Sequence, residues 1–172
     1  VRIRDARLDD AGAICAIYNS TIPTTTVAWT EQLESVDHRL CWIRDQASAG
    51  NPVLVATDGD GDESVIGFAS YDDFRDAQKW EGYRFTVEHS VHVDGAHHGS
   101  GVGQALMIEL LARAAAAGKR VMVAAVDGDN EGSIRFHERL GFVEVARLPG
   151  VGFKFGRWLD LVLLQRHLGD AG

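Results

Sequence analysis

The chain has 172 residues, 45% of them hydrophobic, with three prolines and a formal net charge of −8. This predicts one compact domain without a linker, and the acidic balance excludes nucleic acid or an anionic membrane as a bulk-electrostatic partner. No apolar run approaches the ~20 residues of a membrane helix and Val1-Arg2-Ile3-Arg4 carries no signal-peptide core, so a soluble cytoplasmic protein is expected, with Cys15 and Cys41 as buried free thiols.

Periodicity alternates in type along the chain. Val1 to Ala6 reads as a strand, and Leu8, Asp9 and Asp10 as staple, cap and acidic first turn of a helix with the stripe Ile14, Ile17 and Tyr18. Thr21 to Trp29 is irregular. Gln32 to Ala49 predicts a second helix, followed by a buried strand at Val53 to Ala56, a turn at Asp58-Gly59-Asp60-Gly61 and a partner strand from Val65 to Tyr71. Asp72 to Arg84 is a polar, aromatic-bearing loop of functional length. After a strand from Phe85 to Val93, a helix from Gly101 presents Leu106, Leu110, Ala114 and Ala117 on one face and stops at Gly118. Val121 to Val126 predicts an apolar strand and Asn130 to Leu140 a short helix. Phe142 to Leu148 and Lys154 to Gln165 predict a strand pair around Pro149-Gly150. The order β-α-α-β-β-β-α-β-α-β-β defines a mixed α/β sheet.

The most informative segment is His98-Gly99-Ser100-Gly101-Val102-Gly103-Gln104, set between a strand and a helix. Without side chains at the three glycines, backbone N–H groups can approach a phosphate that the helix macrodipole also favours. Gly103 is followed by Gln104 and Ala105 rather than by Gly-Lys-Ser/Thr, which excludes the nucleotide-triphosphatase loop; the glycine spacing and mid-chain position fit a dinucleotide fingerprint poorly. The segment resembles the signature of the GCN5-related N-acetyltransferases (GNAT), in which Arg or Gln, two residues, Gly, one residue and Gly or Ala cradle the coenzyme A pyrophosphate. Gly101 and Gly103 fit that pattern, with His98 standing at the Arg/Gln position.

Three further blocks narrow the resemblance over nearly the whole chain: Thr86-Val87-Glu88-His89-Ser90-Val91, Val121 to Val126, and Lys154-Phe155-Gly156-Arg157-Trp158-Leu159-Asp160-Leu161. They look like the phosphinothricin and methionine sulfoximine acetyltransferases. The resemblance implies the acyl-CoA N-acyltransferase fold and transfer of acetyl from acetyl-CoA to the α-amine of a small methionine- or glutamate-like amino acid. It implies no metal, and it implies a homodimer.

The chemistry needs a base near the strand before the cradle, because an ammonium must lose a proton before its nitrogen attacks a thioester. Glu88, a carboxylate between Val87 and Val91, is that candidate, and burial would raise its pKa; an ion pair with Arg84 or Arg75 is the structural alternative. The resembling family uses the equivalent glutamate as its base. Backbone around His89 to Val93, with Val91 and His92, would polarise the acetyl carbonyl, and Ser90 and His89 border the acceptor. His137 is a candidate proton donor to the leaving thiolate or else a half-buried packing histidine. Asn130 resembles the superfamily asparagine that binds coenzyme A, although an N-cap explains it equally, and Ser133 is a weaker candidate of the same kind. For the substrate carboxylate a guanidinium fork is the natural partner, with Arg75 after Phe74 preferred over Arg84. Trp29, Lys154 and Trp158 are candidate pocket residues, ordinary core packing being the alternative for the two tryptophans.

Two other clusters fit ligand patterns poorly. His92, Asp94, His97 and His98 match no zinc spacing, and Asp58, Asp60, Asp62 and Glu63 lack the full twelve-residue calcium pattern. The other functions compatible with the cradle are a peptide N-terminal acetyltransferase and an acyl-CoA-sensing module without chemistry.

Overall fold

The computed structural model describes residues 1–59 and 64–169. Seven strands form a mixed sheet in the order β1-β2-β3-β4-β5-β7-β6, with the chain order of strands and helices expected from the sequence. By contacts the chain divides into two compact units. The first comprises Val1–Ser20, Leu33–Asp72 and His89–Arg113; the second comprises Thr21–Gln32, Asp73–Glu88 and the chain from Ala114 onward.

In the first unit, β1 (Arg2–Asp5), β2 (Val53–Thr57) and β3 (Val65–Asp73) pair antiparallel. All five residues of β2 are buried, as an uninterrupted apolar run predicts. α1 (Ala11–Thr21) and α2 (Val36–Ala49) contribute Ala11, Ile14, Ile17 and Ile43 to a core with Val53, Val55 and Phe68. Two boundaries differ from the sequence reading. Leu8–Asp10 is a separate 3-10 turn, in which Asp10 is buried and takes two hydrogen bonds from Arg4 at 2.7 and 2.9 Å. Helix α2 starts at Val36 rather than Gln32, because the Ser35 hydroxyl caps it by accepting from the His38 N–H. Cys15 is buried, but Cys41, on the outer face of α2, is exposed; both are free. The turn read at Asp60-Gly61, with Asp62 and Glu63, lies outside the described residues.

Helix α3 (Val102–Ala116) buries Val102, Leu106, Met107, Leu110, Leu111 and Ala114. Ala117 lies past its end and is exposed, so it does not extend the stripe. α3 crosses β3 at Gly67, where a Cβ would stand 3.2 Å from the side chains of Val102 and Leu106 and 3.0 Å from the carbonyl of His92. Close approach at this point, rather than a turn, requires the glycine.

In the second unit, β4 (Thr86–Val93) begins with a parallel ladder pairing Thr86, Val87 and Glu88 with Val121, Met122 and Val123 of β5 (Val121–Asp127). β5 pairs antiparallel with β7 (Arg157–His167), which pairs with β6 (Val143–Lys154); α4 (Glu131–Arg139) connects β5 to β6. The hairpin turn falls at Phe155-Gly156, not at Pro149-Gly150, so Lys154 ends β6 instead of opening β7. Pro149-Gly150 sits in an irregularity inside β6, where the register shifts between Leu148 and Gly152 and the Asp160 carboxylate accepts the Gly150 N–H at 2.8 Å. A side chain thus replaces the ladder there, so the proline-glycine pair does not turn the chain.

Among the described residues, no helix is long and apolar enough to cross a membrane, and no group of three His, Cys, Asp or Glu residues is arranged to hold a metal ion.

Candidate active site

β4 leads directly into the glycine segment. Asp94 turns the chain by accepting the Ala96 N–H at 2.9 Å, and a 3-10 turn covers Gly95–His97. Gly99 and Gly101 then adopt φ of +78° and +87°, which L side chains oppose. Among the described residues, nothing lies within 4 Å of where a Cβ would stand at either glycine, so they leave this face of the turn open. The first bond of α3 runs from the Ala105 N–H to the Gly101 carbonyl at 3.0 Å. The N–H groups of Val102, Gly103 and Gln104 therefore have no helical acceptors and stand at the positive end of a fifteen-residue helix. This backbone fits the pyrophosphate of coenzyme A. The side chains around it serve the loop itself: His98 donates through Nε2 to the Val93 carbonyl at 3.0 Å, and the Ser100 hydroxyl donates to His97 O at 2.5 Å. His98, standing where the signature has Arg or Gln, is a staple in this structure.

Val91 and Val93 are half-buried while His92 is buried. The His92 ring stacks on Phe68 with centroids 4.9 Å apart and meets Tyr18 edge-on at 5.2 Å. The guanidinium of Arg39 lies 4.2 Å from the Tyr18 ring centroid, 4.8 Å from that of Trp42 and 5.7 Å from that of Phe68, and pairs with Glu34 at 2.5 Å. Burial, helped by the Arg39 charge, pushes the His92 pKa down to about 4, so the ring is a neutral packing group. The part of His92 left to face a ligand is its backbone. Sequence reading missed this cluster. The available signal was the recurrence of Arg39, Ile43 and Gln46 at i, i+4 and i+7, all buried. Next along β4, His89 is buried and Ser90 is exposed, its hydroxyl 3.3 Å from that of Ser70.

In the second unit, Glu88 is half-buried at the last rung of the β4–β5 ladder, opposite Val123. The two arginines that sequence offered as its ion-pair partners are placed otherwise. Arg84 donates to the Glu81 carbonyl at 2.9 Å and lies over Phe85, 4.3 Å from its centroid. Arg75 is exposed, its guanidinium resting 5.0 Å from the Phe74 centroid, and Phe74 packs on Tyr83 at 6.1 Å. An exposed guanidinium supported by a ring face keeps its donor fork available for a carboxylate.

Asn130 caps α4, its side-chain oxygen accepting the Ser133 N–H at 3.0 Å. His137 is buried between Phe136 and Phe142, with ring centroids at 5.1 and 5.4 Å. Its Nδ1–H donates to the Ser133 carbonyl at 2.7 Å. Burial lowers its pKa, against a smaller opposing effect of that carbonyl. Two ring contacts and a carbonyl hold the imidazole in place, which suits the packing reading of His137.

The Trp29 ring packs on β6 at Gly152, in the space that a Cβ there would need. Trp158 is 69% exposed and meets Phe153 edge-on at 5.2 Å, which excludes core packing for it. Lys154 is buried, and its ammonium donates to three carbonyls, those of Ile22, Thr25 and Ala28. Asp127, absent from the sequence reading, is buried at the end of β5 and accepts from the Thr26 hydroxyl and from the Asp129 N–H at 3.2 Å. Its signal was an acid closing the apolar run Val121 to Val126.

A pyrophosphate cradle entered from the strand that also carries a half-buried carboxylate suits an acyl-CoA-dependent transferase, which must anchor a long cosubstrate by its phosphates and deprotonate an amine. Residues 14–142 match the model of the acetyltransferase (GNAT) family. The chain belongs to this family. It is 46% identical over 166 residues to the L-methionine sulfoximine/L-methionine sulfone acetyltransferase of Pseudomonas aeruginosa, covering 96% of this chain and 94% of that protein. The structure of yncA from Salmonella typhimurium, solved with its cofactor acetyl-CoA, superposes with a TM-score of 0.92 at 42% identity, covering 99% of this chain and 95% of that one. A phosphinothricin acetyltransferase from Sinorhizobium meliloti in complex with acetyl-CoA gives a TM-score of 0.91 at 34% identity, covering 98% and 89%.

Proposed function

We propose that this protein transfers the acetyl group of acetyl-CoA to the α-amine of a small methionine- or glutamate-like amino acid, such as methionine sulfoximine, methionine sulfone or phosphinothricin. The reading rests on one observation above all: the strand that carries Glu88 leads along the chain into a cradle of three N–H groups without helical acceptors. The cosubstrate supplies an acetyl group activated as a thioester. The N–H groups of Val102, Gly103 and Gln104 hold its pyrophosphate, and the backbone of His89 to Val93 orients the acyl end. Glu88 takes a proton from the substrate ammonium, directly or through one water. Arg75, with Phe74 beneath its guanidinium, receives the carboxylate, and Trp29 bounds the acceptor side chain. We assign the proton of the leaving thiolate to solvent, not to His137.

Both units belong to one catalytic domain in this reading, since the family match runs through both. The edge strand β6 exposes Val143, Val145, Val151 and Phe153, and β7 adds Trp158. An apolar row of this kind supports a homodimer, which sedimentation will show as twice the 18.7 kDa chain mass. Two free thiols, one of them exposed, fit the reducing cytoplasm.

The test is thiol release from acetyl-CoA with methionine sulfoximine, methionine sulfone, phosphinothricin, methionine, glutamate and N-terminal peptides. Turnover confined to the free amino acids, with kcat reduced roughly 10²- to 10⁴-fold in Glu88→Gln at neutral pH, is the expected result. Turnover with peptides alone, or coenzyme binding without thiol release, transfers the protein to peptide acetylation or acyl-CoA sensing.

A further inference from the structure

We propose that Lys154 is a positioning residue for the acceptor amino acid: its ammonium clamps the backbone of residues 22–28 and so fixes Trp29 as a rigid wall of the acceptor pocket. This rests on the reading of the protein as an amino-acid acetyltransferase and assigns Lys154 no contact with substrate.

An ammonium has three N–H donors, and all three are used here, on Ile22 O at 2.8 Å, Thr25 O at 2.7 Å and Ala28 O at 2.7 Å. Lys154 is 2% exposed, and the ring of Phe155 faces the same ammonium, 4.7 Å from centroid to Nζ. No donor and little surface remain for a substrate carboxylate. Residues 22–35 hold no helix or strand, so the clamp replaces the backbone ladder that regular structure would give. Two further anchors hold the same segment: the Thr26 hydroxyl bonds Asp127, and Trp29 lies on Gly152, where no side chain fits.

The clamp has a functional location. Asp127 closes β5, which runs parallel to β4, and ligands of such sheets gather at the carboxyl ends of parallel strands. The backbone conformation beneath it is also costly. Phe155 has φ of +51° in the two-residue turn with Gly156, where asparagine or glycine is the usual occupant. A bulky residue there is strained, and in this chain it brings the aromatic face onto the Lys154 ammonium.

The experiment compares wild type with Lys154→Met and Gly152→Ala by three readouts: hydrogen exchange of residues 22–29, the dissociation constant of acetyl-CoA, and kinetics with methionine sulfone and its carboxamide. In Lys154→Met the segment loses protection, KM rises by about tenfold or more for the acid and the carboxamide in equal proportion, and acetyl-CoA binding stays within about twofold. Gly152→Ala, which keeps the lysine but displaces the tryptophan ring, raises KM in the same sense. Retained protection in Lys154→Met overturns the proposal. A loss confined to the acid also overturns it and makes Lys154 a carboxylate ligand. Should wild type acetylate no amino acid, the functional reading fails, and the exchange measurement still decides the clamp. Should Lys154→Met not fold, an unchanged KM in Gly152→Ala overturns the pocket-wall assignment.

Discussion

Arg39 and Lys154 are both buried cations, 6% and 2% exposed, and the two units satisfy them by different chemistry. Arg39 combines an ion pair to Glu34 with three aromatic rings, using the flat, weakly hydrated faces of the guanidinium. Lys154, a compact and strongly hydrated charge, exchanges its water for three carbonyl oxygens. Burial lowers the pKa of each; for Lys154 the charge of Glu31 opposes this only in part. The arginine ties together side chains of regular elements that fold around it. The lysine orders a stretch of chain that has no regular structure of its own. Removing the first should therefore harm stability, and removing the second should harm function.

The largest stability effect expected is that of Arg39→Met. It removes the guanidinium from Glu34, leaving the exposed His38 at 3.3 Å as its other basic neighbour, and costs about 3 kcal/mol, near the lower end for breaking a buried pair because the Glu34 side chain, 22% exposed, still reaches water. Chemical denaturation will measure it, and unchanged kcat/KM for the remaining folded enzyme completes the contrast. A large change of acceptor KM in this variant would break the comparison.

Acid sharpens the same contrast. The His92 pKa is about 4 in the folded protein, below its ordinary value near 6.5, so the unfolded chain binds the proton first. The stability present above pH 6.5 is then lost as pH falls toward about 4, by at most about 3 kcal/mol. His137, lowered in the same direction, adds to the slope. Tyr18, Phe68 and Arg39 are the groups packed on His92. In His92→Phe the slope between pH 6.5 and 4 falls without vanishing, as urea midpoints across that range will show.

Gly152→Ala should cost about 1–3 kcal/mol, the usual penalty of overpacking, because the new methyl meets the Trp29 ring. Thermal unfolding measures it. The smallest effect is expected of Phe155→Gly, which relieves the positive φ but removes the ring from the Lys154 ammonium. The two changes oppose one another within about 1 kcal/mol, so the melting temperature should move little while exchange of residues 22–29 quickens.

The local boundaries that moved did so at single polar contacts, some between neighbours and some between residues further apart in the chain. Pro149-Gly150 carries a turn signal, yet the Asp160 carboxylate satisfies Gly150 inside β6, and the actual turn is disguised by phenylalanine at a position of positive φ. Helix α2 starts four residues late because Ser35, not an earlier residue, provides the cap. What His137 does depends on the Ser133 carbonyl and the rings packed around it, contacts that a residue pattern alone does not specify.

By itself the sequence determined the order of strands and helices, through apolar periods of two and near four, and the cradle, because glycine spacing between a strand and a helix acts on adjacent backbone. It also singled out Glu88 as a charge in an apolar strand. Only the tertiary structure decided what the buried polar groups do. Lys154 reaches carbonyls 126 to 132 residues away in sequence, and Arg39 takes its rings from two helices and a strand. Hydrogen bonds and ring contacts have ranges of a few ångströms, so their partners are set by how elements pack rather than by which residues are neighbours in the chain.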